Sequence, residues 1–189
     1  MQTPPDLQLV PGGDSRNKQT RVALYVIGGV VAFGCCGVIA LSAILFPVFM
    51  KSKETAKSTS TLNNLKLIGL GLSLYTQDYD DKLPPAATWM DSARTHIPDS
   101  TAFRAPRGEQ VDQQIGYVFN NALDMRTITT LADQSRTPLI FEGDAPLPNT
   151  TGSLESLVDR NGNAHILLSD MSARRFPIET ARELDWLGR

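Results

Sequence analysis

The chain has 189 residues, 18 basic against 20 acidic side chains, and a formal charge of −2. That balance lacks the basic excess of a nucleic-acid binder and the acidic block of a solvating tail. Aromatic residues make up only 7%, so any core is expected to be small and aliphatic. The two cysteines, Cys35 and Cys36, are adjacent and leave the rest of the chain without disulfide bracing.

Residues 1–21 read as a disordered cytoplasmic tail, broken up by Pro4-Pro5 and Pro11-Gly12-Gly13. Arg16, Lys18 and Arg21 then precede Val22–Met50, a run with no charged residue that Lys51 closes. A bilayer core is about 30 Å thick and needs about 20 apolar residues in a helix to cross it. The spacing predicts a transmembrane helix over 22–50, longer than a removable signal and therefore an uncleaved single-pass anchor. Ala32-Phe33-Gly34 ahead of Cys35 is a poor match to a lipoprotein signal. Gly28, Ala32, Cys36 and Ala40 recur every fourth position, a small-residue stripe of the kind that lets helices approach closely in lipid. Pro47 removes a backbone donor near the end of the span and predicts a kink there.

A polar stretch, Lys51–Lys57, separates the span from a second apolar period. Leu65, Ile68, Leu72, Tyr75 and Tyr79 fall on one helical face, Leu62 extends it backward, and Leu67, Leu70 and Leu74 widen it. An amphipathic helix over 51–80 is therefore expected to continue the span, its apolar face covered by another element. Gly69 and Gly71 either weaken it or permit close packing. Pro84-Pro85 forbids further helix.

Residues 81–189 read as a small α+β head. A short helix is expected around Trp89 to His96, and loop over 99–114. Strands are expected at 115–120, 137–141, 154–158 (an edge), 164–168 and 173–176, with a terminal helix over 178–187 contacting through Ile178, Leu184, Trp186 and Leu187. Leu123 to Leu131 is ambiguous. Asn161-Gly162 is a hairpin-turn signal. These elements predict a small antiparallel sheet, apolar on one face, lying against the amphipathic half of the long helix.

Several of these residues resemble a known family. Ala43-Ile-Leu-Phe-Pro-Val-Phe49, Lys57-Ser-Thr, Asn64-Leu-Lys-Leu-Ile-Gly-Leu70 and Tyr75-Thr-Gln-Asp-Tyr-Asp-Asp81 resemble the N-terminal helix of bacterial type IV pilin-like proteins and type II secretion pseudopilins. Phe103-Arg-Ala-Pro106 and Tyr117-Val-Phe-Asn120 are weaker echoes. Arg160 to Asp170 resembles the family's C-terminal hairpin, with Arg160 where the family has histidine and Met171 where it has glycine. The chain departs from the family in lacking a glycine–phenylalanine cleavage junction and the glutamate early in the span. The resemblance implies a pilin-like fold and a single-pass protein of the bacterial inner membrane, with a cytoplasmic N-terminus and an extracytoplasmic head. The charges flanking the span are near a tie and do not set that orientation. The partners it implies are the membrane, like pilin or pseudopilin subunits, and secretion or pilus machinery. The function expected is non-enzymatic helix packing with those partners. A tethered extracytoplasmic binding or sensing module on the same head is the alternative.

No catalytic or cofactor set emerges from the sequence. It contains two histidines, His96 and His165, too few for a recognisable metal pair, and His165 reads as a structural strand residue. No nucleophile-elbow, phosphate-loop or dinucleotide pattern is present. Asp159, Asn161, Asn163 and Asp170 have the oxygen-ligand flavour of a calcium loop but fail the helix–loop–helix template and read as a turn. Asp78, Asp80 and Asp81 read as a solvated helix end, and Arg174-Arg175 as an exposed strand pair.

Overall fold

A computed structural model describes residues 15–97, 100–106 and 116–189, without the side chains of 15–23, 26–28, 30–44 and 47–48. The chain divides into two compact units, Met1–Ser52 and Lys53–Arg189. Helix α1, Ser15–Asp78, contributes residues to both.

In the first unit α1 begins at Ser15, inside the stretch expected to be irregular. Leu24, Tyr25, Leu45, Phe46, Phe49 and Met50 are exposed. Gly28, Ala32, Cys36 and Ala40 lie on helical backbone, and their side-chain surroundings fall outside the described residues. Among the described residues, no helix is long and apolar enough to cross a membrane. Most side chains of the 22–50 run are outside that description.

The second unit is α+β. It holds the rear of α1, helix α2 (Trp89–Arg94), helix α3 (Ile178–Arg182) and one sheet. The strands are β1 (Tyr117–Asn120), β2 (Pro138–Glu142), β3 (Thr151–Gly152), β4 (Asn163–Leu168) and β5 (Ala173–Pro177), in the spatial order β3-β1-β2-β4-β5. All neighbours are antiparallel except β1 and β3, which run parallel. The sheet is therefore mixed and not purely antiparallel. The edge expected at 154–158 is instead Thr151–Gly152, and Leu154–Ser156 forms a 3-10 turn. Single 3-10 turns also occupy Asn121–Leu123 and Ile128–Thr130, the ambiguous stretch. The chain leaves α1 through Asp80 and Asp81, both at positive φ (53° and 58°), a conformation that aspartate tolerates better than most residues.

Both faces of the sheet are buried, not one. On the first, Leu65, Ile68 and Leu72 of α1 are fully buried against Tyr117, Phe119, Ile140 and Leu167. Each such side chain contributes about 1.5–3 kcal/mol by leaving water. Gly69 and Gly71 serve close approach here. A Cβ at Gly69 would sit 2.8 Å from the Leu167 side chain, and one at Gly71 would sit 2.5 Å from that of Ile97. On the second face, Val118, Phe141, Ala164, Ile166 and Leu168 pack with Ala181, Leu184 and Trp186. Trp186 meets Phe141 edge-on at 5.0 Å and donates its indole N–H to the Ala181 carbonyl at 3.0 Å. The buried Asn120 amide donates to the Pro138 and Trp186 carbonyls, at 2.8 and 3.0 Å, and ties the C-terminal segment down. Of the expected terminal contacts, Leu184 and Trp186 are buried and Leu187 is exposed.

Candidate functional site

Strand alternation assigns each side chain to a face. On β2, Phe141 points to the second core, so its neighbour Glu142 points toward α1. On β4, Ile166 points to the second core, so His165 points toward α1 as well. Phe141 pairs with Ile166, which sets Glu142 across from His165. Tyr117 pairs with Glu142, and His165 with Arg175. Tyr117, Glu142, His165 and Arg175 thus form one row across β1, β2, β4 and β5.

Ser58 on α1 closes this row from above. Its Oγ lies 2.7 Å from His165 Nε2, and His165 Nδ1 lies 2.9 Å from Glu142 Oε2. The other Glu142 oxygen accepts from Arg160 Nε at 2.8 Å. Glu142 and His165 side chains are both 4% exposed, whereas that of Arg160 is 38% exposed. Burial alone would push the Glu142 carboxyl up. The His165 hydrogen bond and the Arg160 charge outweigh that and hold it below its ordinary value.

An ionised carboxylate only accepts hydrogen bonds, so His165 Nδ1 carries the proton that Glu142 receives. With the Nδ1 proton committed to Glu142, a neutral ring leaves Nε2 as an acceptor for the Ser58 hydroxyl. A serine within a helix can bond back to a carbonyl one turn earlier, as Thr59 does to Thr55 at 3.0 Å. Ser58 is turned to His165 instead. The serine and histidine open onto a cavity of about 160 Å3, whose wall includes Glu54, Lys57, Asn161 and Arg175.

Of the residues singled out in the sequence for helix packing, Leu65, Ile68 and Leu72 are spent on the head's own core. Tyr75 is half-buried, stacked on Tyr79 at 4.2 Å and edge-on to His96 at 6.1 Å. Burial, then the neighbouring Tyr79, raises its phenol pKa. Leu67, Leu70 and Leu74 do not widen the buried face; all three are exposed. The candidate calcium-loop residues serve turns. Asp159 Oδ1 accepts from Gly162 N at 2.6 Å, Asn161 Nδ2 reaches Glu54 at 3.3 Å, and Asp170 Oδ1 caps Ser172 N at 2.9 Å. Among the described residues, no group of three His, Cys, Asp or Glu side chains is placed to hold a metal ion. Asp78 pairs with His96 at 3.2 Å, and Arg174 with Asp170 at 3.5 Å.

The set Ser58, His165 and Glu142 was not joined in the sequence. Ser58 and His165 are 107 positions apart, and Glu142 falls at the last position of its strand, where the sequence reads as a turn-rich connection. The available signal was strand parity, which puts Glu142 and His165 on one face once the register of β2 and β4 is known.

No protein-family model, curated protein or solved structure matches the chain.

Proposed function

We propose that this chain is a membrane-anchored, pilin-like protein that acts through helix packing with like subunits or with secretion or pilus machinery. The charge-free run Val22–Met50 supplies the anchor. The observation that carries the packing role lies on the rear of α1. Leu65, Ile68 and Leu72 are buried in the head, while Leu67, Leu70 and Leu74 form an exposed apolar stripe on the opposite side. A helix with one greasy face committed and another uncovered is suited to packing against a further helix. Alkaline extraction of membranes from cells making the full chain tests the anchor. Retention in the pellet is expected, and release into the supernatant would overturn it.

The second reading, a tethered extracytoplasmic binding or sensing module, is favoured by the cavity beside Ser58 and His165. N-terminal sequencing of the mature protein separates the two. A trimmed N-terminus supports filament entry, and retained residues 1–21 support the static tether.

A further inference from the structure

We propose that Ser58 is a nucleophile that takes a short acyl group from a small ester, with His165 as general base and Glu142 as its positioning residue. This goes beyond the packing role and does not rest on it.

Covalent catalysis by serine needs a base within hydrogen-bond reach of the hydroxyl and a third group that fixes the base. Both distances meet that need, at 2.7 and 2.9 Å. With the imidazole neutral, the direction of each hydrogen bond meets it too. Arg160 holds one Glu142 oxygen, so the other faces His165 Nδ1. The Nε2 lone pair then faces the hydroxyl proton. Ser58 is half-buried and borders the cavity, so its oxygen has space on the side away from His165.

The step balances with water as the only co-reactant. The Ser58 proton passes to His165 Nε2 as Oγ bonds the ester carbonyl carbon. The tetrahedral oxyanion collapses, the carbon–alkoxide bond breaks, and Nε2 returns the proton to the leaving alcohol. Water then attacks the acyl-serine, His165 takes its proton, and the C–Oγ bond breaks as Nε2 hands that proton to Oγ. The acid leaves and the hydroxyl is restored.

Two features limit the substrate. Ser58 sits within an α-helix, where backbone N–H groups are spent on carbonyls one turn back. The oxyanion therefore depends on the side chains lining the cavity, Lys57 and Arg175 among them. A missing oxyanion donor costs about 10²–10³ in rate, which confines the chemistry to reactive esters and not amides. A cavity of about 160 Å3 lies below the ~300 Å3 at which drug-sized pockets begin, so the acyl chain is short. Glu54 on the same wall pairs with Lys57 at 3.8 Å, so the cavity carries both signs and selects by size and not by substrate charge.

The test uses the full chain in detergent, an alkyl fluorophosphonate as probe, and 4-nitrophenyl acetate as ester. The expected result is a single covalent adduct, mapped by peptide mass to Ser58, and ester turnover that the adduct abolishes. His165→Asn is expected to slow labelling about 100-fold or more, the range of a general base. Glu142→Gln slows it as well and Glu142→Asp recovers part of the loss, which a merely structural carboxylate would not produce. Unmodified Ser58 in the wild-type protein after prolonged exposure to the probe overturns the proposal, as does equal ester turnover by wild type and Ser58→Ala.

Discussion

His165 Nδ1 lies 2.9 Å from Glu142 Oε2, with both side chains 4% exposed, so each is the other's substitute for water. Glu142→Gln leaves one acceptor oxygen where there were two: if it stays with Arg160, His165 must take the other tautomer, and if it stays with His165, Arg160 loses its acceptor. A hydrogen bond to a charged group is worth about 1.5–3 kcal/mol. Arg160 is more than a third exposed, so water screens much of its loss. Glu142→Gln is therefore expected to destabilise the head by about 2 kcal/mol, less than the ~3–5 kcal/mol of a fully buried broken pair. Thermal unfolding of the full chain in detergent checks this. An unchanged midpoint would show that the network carries no net stability.

The same carboxylate gives the head an acid-sensitive term. Burial opposes its charge, but His165 and Arg160 together hold the folded value below the unfolded one. Between those two values the unfolded chain binds more protons, so stability rises with pH there. The contribution is complete above the ordinary carboxylate range and is lost as pH falls through the depressed folded value. Asp133 acts in the same direction, chiefly through the Ser135 hydroxyl, but it is exposed and its effect is screened. Unfolding midpoints measured from neutral pH downward should fall for wild type. The fall should be shallower for Glu142→Gln, and Asp133→Asn should resemble wild type. Parallel slopes for all three would assign acid sensitivity elsewhere.

The helices and strands were legible where a local period was long. Leu65, Ile68 and Leu72 announced the buried face of α1, and short apolar runs parted by Ser169 to Ser172 announced β4 and β5. What was not legible depended on contacts between distant segments. Leu67, Leu70 and Leu74 are as apolar as their buried neighbours, and only the placement of the sheet decides which leucines it covers. The parallel pairing of Thr151–Gly152 with β1 leaves almost no sequence trace, because so short a strand has no period. Leu184 and Trp186 were legible as contacts, but not as a core on the second sheet face, because Asn120 of another strand fixes where their segment packs. The Ser58–His165–Glu142 set needed the register between two strands and the rotation of a helix at once.

Gly71 tests how closely α1 must approach its neighbours. A Cβ there would lie 2.5 Å from Ile97 Cγ1 and 2.9 Å from the Ala93 carbonyl oxygen. Alanine favours a helix over glycine by about 1 kcal/mol, which alone predicts stabilisation. The clash is partly with backbone, which cannot rotate away, and overpacking costs about 1–3 kcal/mol. Gly71→Ala is expected to destabilise the head by a net ~1 kcal/mol, read as a lowered unfolding midpoint. A raised midpoint would mean that the Ala93 turn yields at little cost.

The exposed leucines separate a helix-packing function from a self-contained head. Leu70 is 58% exposed and makes no contribution to either core, so replacing it leaves folding nearly unchanged, within about 0.5 kcal/mol. Its neighbours on that stripe, Leu67 and Leu74, stand one turn before and after it. A charge set between them makes burial of the stripe against another helix costly, because an isolated carboxylate would have to leave water. Leu70→Glu is therefore expected to retain the wild-type melting temperature while losing self-association. Chemical cross-linking and sedimentation of the detergent-solubilised full chain read the association directly. Equal cross-linking of wild type and variant would leave the stripe without a role in assembly, and a lowered melting temperature would place Leu70 in the fold instead of at its surface.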